Sequence, residues 1–91
     1  MTEERATRLK RMAMRSWRRG TKEMDLILGP FAEAHLTAMG PDALDLYDAL
    51  LAENDQDLYP WITGAAHPPR RFAGLIDEIG RFARAGINSA S

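Results

Sequence analysis

Residues 18–25 read RRGTKEMD, and the boundary between the first two predicted helices falls within them. Gly20 lacks a Cβ, so it can take a positive φ or serve as a helix N-cap at little steric cost. If the chain turns there, Glu23 falls at the third position of the second helix, where its carboxylate can bond free backbone N–H groups. If the helix continues instead, Arg19 and Glu23 lie four residues apart and can pair on one face. Either geometry predicts a cation and an anion side by side at an exposed corner.

Apolar residues recur at spacings of three and four on both sides of this stretch, a period typical of α-helices. Thr2 is the predicted N-cap of the first helix, and Gly86 suits the end of the last one. The predicted helices cover about residues 3–19, the stretch between 20 and 40 with a kink near Pro30, residues 41–53, a short stretch between 54 and 64, and residues 69–85. We expect an all-α fold, a compact single-domain five-helix bundle over residues 1–86, followed by a flexible C-terminal tail over 87–91.

The composition fits a small globular domain and excludes several kinds of site. The chain has 91 residues, of which 45% are apolar and 27% are charged. It contains no cysteine, so disulfides, thiolate nucleophiles and cysteine-based metal sites are excluded. No apolar run approaches the roughly 20 residues that span a bilayer, and the N-terminal residues lack the apolar stretch of a secretory signal. We therefore expect a cytoplasmic protein that does not insert into a membrane.

The net charge of −1 conceals a strong partition along the chain. Residues 5–22 contain eight Lys/Arg and no acid, whereas residues 23–69 contain nine Asp/Glu and no Lys or Arg. One explanation is self-complementation, in which the basic first helix lies on acidic neighbours within the domain. The other is a charged surface that is offered to a partner. Both explanations stay open at this point.

Patterns typical of catalysis, cofactor binding and metal binding are missing from the sequence. There is no G-x-G-x-x-G and no G-K-[ST], so neither dinucleotide binding nor P-loop phosphate binding is indicated. His35 and His67 have no acidic partner at a metal-ligand spacing, and His35 lies on an apolar stripe where packing explains it. Asp42, Asp45 and Asp48 fall on the outer face of a predicted helix, where solvation explains them. We expect no enzymatic activity, no catalytic residues, no stably bound cofactor and no metal.

Three kinds of partner are compatible with the basic first helix. It can track nucleic-acid phosphates, although the acidic remainder of the domain would repel them. It can lie on an anionic membrane surface, although its apolar face is small and needed by the core. It can also contact a protein, and Trp17, which stands among arginines, either closes the core or anchors such a partner.

Three segments follow one another along the chain: RRGTKEMD at residues 18–25, LILGPFAEAHL at 26–36 and LLAENDQDLYPWITG at 50–64. In this order they resemble the succinate dehydrogenase assembly factor 2 family, whose bacterial members are called SdhE. RRGTKEMD contains the family's R-G-x-x-E motif at Arg19, Gly20 and Glu23. LILGPFAEAHL is similar to the family's apolar stretch that runs into Pro-Phe, and LLAENDQDLYPWITG is similar to its acidic segment with D-L-x-x-W. The resemblance extends over approximately residues 8–66, and the three segments lie within that range. Gln56 and Pro60 depart from the residues usual in the family, which affects the expected shape of the fourth helix.

The resemblance implies a five-helix bundle and a non-enzymatic assembly chaperone. Family members bind the flavoprotein subunit of succinate dehydrogenase and, in bacteria, the related fumarate reductase flavoprotein. They promote covalent attachment of FAD to a histidine of that partner, and partner and flavin supply the bond-forming chemistry. The alternative function is a small nucleic-acid-binding helical protein that uses the first helix. The partner-binding residues implied here are Arg19, Gly20 and Glu23, with the flanking Arg18 and Asp25 and, from its position, Trp17.

Overall fold

The computed structural model describes residues 3–90, including the side chains of residues 3–86. Over that range the regular secondary structure consists of helices, and no strand is present. In chain order the elements are α1 (Arg5–Trp17), α2 (Lys22–His35), a 3-10 turn (Leu36–Ala38), α3 (Pro41–Leu51), α4 (Asp55–Thr63), a second 3-10 turn (Arg70–Phe72) and α5 (Ala73–Ala90). The predicted all-α fold with five helices is therefore confirmed.

Helix boundaries follow the capping and turn residues of the sequence. Thr21 caps α2, since its Oγ1 accepts a hydrogen bond from Met24 N at 3.3 Å. Pro41 occupies the first turn of α3, where its missing N–H removes no helical hydrogen bond. Gly64 follows α4 in the left-handed region, at φ 88°, which a residue without a Cβ adopts easily. The chain stays helical on both sides of Pro30, inside α2.

The C-terminal helix is longer than the sequence predicts. α5 extends to Ala90, so the expectation that Gly86 ends it is wrong. A glycine inside a helix costs only about 1 kcal/mol relative to alanine, which the rest of the helix can offset. Residues 1, 2 and 91 and the side chains of residues 87–90 lie outside the described residues. The domain boundary at residue 86 and the flexible tail over 87–91 therefore stay predictions. The N-cap of α1 is Glu4, so the expectation that Thr2 caps this helix is wrong.

The five helices enclose one core, and burial of its apolar side chains supplies the main driving force for folding. α1 packs chiefly on α2 and also contacts α3, while α2 and α4 both pack against α5. This arrangement holds α1 between α2 and α3 and fixes the position of the segment that follows it. The largest fully buried core side chains are Met12, Met24, Leu28, Phe31, Tyr47, Leu50, Leu51, Leu58, Phe72 and Ile79.

One polar pair lies inside this core. Ser16 Oγ donates to Met12 O at 2.8 Å and lies 2.7 Å from the Tyr47 hydroxyl, and both side chains are fully buried. Burial raises the pKa of Tyr47 to about 12, because the phenolate form would lose its hydration. Since each hydroxyl has a partner, the pair joins α1 to α3 without leaving an unsatisfied polar group.

The basic helix α1 lies along the acidic helix α3. Arg8 binds Asp45 at 2.7 Å and Arg11 binds Asp48 at 2.9 Å, with Arg15 3.4 Å from the Asp48 carboxylate. Self-complementation is thus confirmed. Asp42 and Asp45 are exposed on the outer face as expected, whereas Asp48 is partly buried among arginines, so the expectation that solvation explains it is wrong. Spacing along one helix does not reveal the cations on its neighbour. The hydrogen bond from Arg11, with the positive charges of Arg11, Arg8 and Arg15, lowers the pKa of Asp48.

Candidate partner-binding site

Residues 18–21 form a corner between α1 and α2, and the Arg19 side chain anchors this corner to the connection between α3 and α4. Only 9% of that side chain is exposed. Its Nε donates to Asp55 Oδ1 at 2.8 Å, and its two terminal nitrogens donate to Leu51 O and Glu53 O, each at 2.7 Å. Carbonyl groups at the C-terminal end of a helix lack intrahelical donors, so the guanidinium satisfies groups that need a partner.

Asp55 is the second anchor of the corner. Its Oδ2 accepts a hydrogen bond from Gly20 N at 2.8 Å, so one carboxylate holds both the Arg19 side chain and the next backbone N–H. Arg19 N in turn donates to Asp25 Oδ1 in the first turn of α2. Carboxylates are favoured near helix N-termini, where Asp25 and Asp55 both lie. The corner is therefore fixed at its backbone and at the Arg19 side chain.

The chain turns between α1 and α2, so the alternative in which one continuous helix pairs Arg19 with Glu23 is wrong. The guanidinium is bonded to Asp55 and two carbonyl oxygens, while the exposed Glu23 carboxylate has no hydrogen bond or ion pair with any residue from 3 to 86. Gly20 neither takes a positive φ nor caps α2, because Thr21 is the N-cap. Glu23 is consequently the second residue of α2 rather than the third.

A side chain at Gly20 would be crowded, whereas the backbone there does not need the conformational freedom of glycine. A Cβ at this position would lie 3.2 Å from Asp55 Oδ2, closer than most Cβ atoms approach another atom. The residue is exposed, so its bare backbone forms part of the surface beside Glu23. A second polypeptide can approach more closely at such a position than at a residue with a side chain.

Trp17, a predicted partner-binding residue, packs largely against α2 of its own chain. Its indole ring lies on Gly29 of α2, where an added Cβ would overlap the ring atoms. The side chain is nevertheless 36% exposed, so one part of the ring remains on the surface. Trp17 thus closes the contact between α1 and α2 and leaves an apolar edge near the corner.

Cations without a carboxylate partner are fewer than the sequence suggests. The Arg18 side chain is exposed and forms no hydrogen bond or ion pair within residues 3–86, and the same holds for the side chains of Lys10 and Lys22. A nucleic-acid interface gains its affinity from neutralising phosphates, so cations already paired with carboxylates contribute little to it. The nucleic-acid hypothesis therefore loses half of the eight cations on which it depends, namely Arg8, Arg11, Arg15 and Arg19.

An open depression of about 310 Å³ borders the corner on the side of α4. Tyr59 of α4 is 44% exposed at this surface, whereas Met24 of α2 is almost completely buried beneath it. Sequence analysis did not identify Asp55 or Tyr59 as site residues. Their spacing of four places them on one helix face, but no spacing shows that this face meets α2. The lining residues of the depression are Thr21, Glu23, Met24, Asp55, Gln56 and Tyr59.

Other chemistry is sparse in the described part of the chain. Residues 3–90 contain no group of three or more metal-ligating side chains arranged to hold an ion. His35 packs against Phe31 and Phe82, with ring centroids 4.5 and 5.2 Å apart. None of the helices in this range combines the length and the apolar character that a membrane crossing requires.

The corner and the depression lie inside a region that matches a known protein family. The sequence profile described as flavinator of succinate dehydrogenase matches residues 10–83, most of the chain. The chain belongs to this family. The resemblance inferred from the R-G-x-x-E, Pro-Phe and D-L-x-x-W segments is thereby confirmed, and all three segments lie within the matched residues.

Curated relatives in the flavinator family carry the name succinate dehydrogenase assembly factor 2, mitochondrial. The Penicillium rubens protein is 46% identical over 61 residues, which cover 67% of this chain and 20% of the relative. The Mycosarcoma maydis protein is 35% identical over 80 residues, covering 88% and 34% respectively. The 2-B form of Drosophila mojavensis is 36% identical over 75 residues, covering 80% and 48%. This chain thus spans between a fifth and about half of the length of these relatives.

Proposed function

We propose that this chain is an assembly chaperone that binds the flavoprotein subunit of succinate dehydrogenase and promotes covalent attachment of FAD to that subunit. The observation that carries the proposal is the family match over residues 10–83, which includes the whole corner and the depression beside it. The chain itself keeps no flavin and makes no covalent bond. Partner and FAD supply that chemistry.

In this proposal the chain acts by favouring one conformation of its partner. A binding protein shifts a conformational equilibrium only by as much as it prefers one state over the other. The exposed backbone of Gly20 and the free carboxylate of Glu23 are the groups at the corner that are available for such selective contacts. Because the corner is already held by Asp55 and Asp25, little conformational entropy is lost when it binds.

Arg19 and Asp25 support the site from inside in this mechanism. The Arg19 side chain is almost buried and its donors face Asp55 and two carbonyl groups, so it shapes the surface without forming its centre. Arg18 and the exposed edge of Trp17 extend the surface along α1. The unpaired cations of α1 would speed encounter with an acidic region of the partner.

Two further parts of the proposal concern the range of partners and the location. The fumarate reductase flavoprotein is a second partner implied by the family resemblance. The cytoplasmic location expected from the sequence also stays a prediction, because the curated relatives are named as mitochondrial proteins.

Covalent flavin on the flavoprotein subunit provides the test. Cells that lack this chain, and the same cells supplied with the wild type, Glu23→Gln or Glu33→Gln, are compared by flavin fluorescence of the flavoprotein band in denaturing gels. Glu33 is the matched control, since it is also exposed on α2 but lies about 15 Å along the helix from Glu23. We expect fluorescence to be lost without the chain, restored by the wild type and Glu33→Gln, and strongly reduced with Glu23→Gln.

Undiminished flavin fluorescence in cells that lack the chain would refute the proposed function. Restoration by Glu23→Gln to the level of Glu33→Gln would instead leave the function standing and remove Glu23 from the contact surface.

A further inference from the structure

We propose that the depression between α2 and α4 receives an arginine side chain of the partner, with Glu23 as its ion-pair partner and Tyr59 as its stacking surface. This inference rests on the proposed function, because the partner that supplies the arginine is the flavoprotein subunit. Glu23 on α2 and Tyr59 on α4 then form one contact site, of which only Glu23 belongs to the R-G-x-x-E motif.

The charge of the depression selects a cation. Its lining contains two carboxylates, Glu23 and Asp55, and no Lys, Arg or His. Both Asp55 oxygens are already bonded, one to Arg19 Nε and the other to Gly20 N. Glu23 therefore carries the negative charge that no group from residue 3 to residue 86 compensates.

The shape and chemistry of the lining favour arginine among cations. Tyr59 is 44% exposed, and its ring has no aromatic or cationic neighbour in contact among residues 3–86. A guanidinium is planar, so it can stack on a tyrosine face while it donates to a carboxylate. The buried Met24 beneath the depression supports the aliphatic stem of such a side chain.

An uncharged side chain would suit this site less well. An apolar residue that filled the depression would remove water from the Glu23 carboxylate without replacing its hydrogen bonds, which disfavours binding. A partner carboxylate would be repelled by Glu23. Lysine would supply the charge but only as a compact ammonium group, without the plane that stacks on Tyr59.

Access to the depression agrees with the geometry of the corner. The depression is open to solvent and lies beside Gly20, where a partner backbone can approach without meeting a side chain. Its volume of about 310 Å³ lies at the lower end of the range for ligand pockets, which suits one long side chain rather than a separate ligand. An arginine next to the partner segment that passes Gly20 would therefore reach Glu23 and Tyr59.

Calorimetric titration of the full chain with the purified flavoprotein subunit tests the inference. We expect Glu23→Gln and Tyr59→Leu each to weaken binding about tenfold, since one removes the ion pair and the other removes the stacking face. Tyr59→Phe keeps the ring and should bind within about twofold of the wild type. Circular dichroism of each variant checks that the fold is kept.

Double-mutant cycles identify the occupant. Each surface arginine of the flavoprotein subunit is replaced by alanine and titrated with the wild type, Glu23→Gln and Tyr59→Leu. For one arginine, we expect the change in binding free energy to be non-additive with that of Glu23→Gln and with that of Tyr59→Leu. For every other arginine, the two changes in binding free energy should simply add. Additive effects for every arginine, or wild-type binding by Tyr59→Leu, would overturn the inference and leave the proposed function intact. Failure of the wild-type chain to bind the subunit would instead refute the proposed function.

Discussion

Replacement of Arg19 by methionine tests whether the family's motif arginine stabilises the fold from inside. Methionine keeps an unbranched stem but removes the guanidinium, and with it the hydrogen bonds to Asp55 Oδ1, Leu51 O and Glu53 O, which are 2.7–2.8 Å long. We expect the free energy of unfolding to fall by about 3 kcal/mol.

The magnitude follows from how far these groups are buried. Hydrogen bonds to a charged group contribute about 1.5–3 kcal/mol each, so three of them set a high upper bound. Asp55 keeps its bond from Gly20 N and has 14% of its side chain exposed, and carbonyl groups at a helix end regain water, so part of the loss is recovered. The expected value exceeds the roughly 0–1 kcal/mol of an exposed ion pair and lies at the lower edge of the about 3–5 kcal/mol for breaking a buried one. It is a large part of the about 5–15 kcal/mol typical of a whole domain.

Urea unfolding followed by far-ultraviolet circular dichroism measures the change, with Arg18→Met as the matched control. Arg18 is exposed and forms no bond within residues 3–86, so its replacement should alter stability by less than about 0.5 kcal/mol. The double variant Arg19→Met with Asp55→Asn should lose about 1–2 kcal/mol less than the sum of the single losses, because both remove the same contact. An Arg19→Met loss within the range of the Arg18→Met control would refute the internal role of Arg19.

Two further predictions concern helix contacts. Gly29→Ala should lower the free energy of unfolding by about 1–3 kcal/mol despite the higher helix propensity of alanine, because the new Cβ overlaps the Trp17 ring. The control Gly74→Ala meets no atom within 4 Å and should be neutral or stabilising, and equal urea midpoints for the two variants would contradict the packing argument. The hydrogen bond from Arg11 is the main reason why Asp48 has a lowered pKa in the folded chain. Asp48 therefore contributes fully to the free energy of unfolding above the ordinary pKa of a carboxyl group, and this contribution is lost as the pH falls through the lowered pKa. Asp48→Asn should therefore flatten the acid branch of the stability curve, and an acid branch as steep as that of the wild type would show that this ion pair does not carry the effect.

The helices could be predicted because their signals are local. The three-and-four spacing of apolar residues depends only on neighbours within one helix, and Pro41 and Gly64 mark boundaries where the sequence places them. The end of α5 was missed because the cost of Gly86 in a helix is small enough for the rest of that helix to override. Local sequence patterns therefore predict which segments are helical, but they fail at a helix end where the small cost of a glycine competes with the preference of the rest of the helix to continue.

The candidate site was predicted only in part, for a related reason. R-G-x-x-E marks the right corner, and Gly20 and Glu23 are exposed there as expected. Spacing along one chain segment suggested Glu23 as the partner of Arg19, but the actual partner, Asp55, is 36 residues away. Tyr59 was not predicted for the same reason, because it lines the same depression as Glu23 only once α4 lies beside α2.

The pairing of charges inside the chain decides which sign each surface presents to a partner. The first third of the sequence is strongly basic, yet four of its arginines form ion pairs with Glu3, with Asp45 and Asp48 of α3, and with Asp55. Of the eight cations, Lys10, Arg18 and Lys22 remain without a carboxylate, and Arg5 is bonded only to backbone carbonyls. Lys10 and Arg18 form a positive outer face of α1, and Glu23 gives the depression on the other side of the corner a negative charge. Two surfaces of opposite charge on either side of a rigid turn favour only one orientation of a complementary partner, because a partner bound in the reverse orientation would place like charges together. A motif arginine that is satisfied internally is therefore compatible with specific recognition, because it leaves the Glu23 carboxylate unpaired in the depression beside the corner, where a partner can meet it.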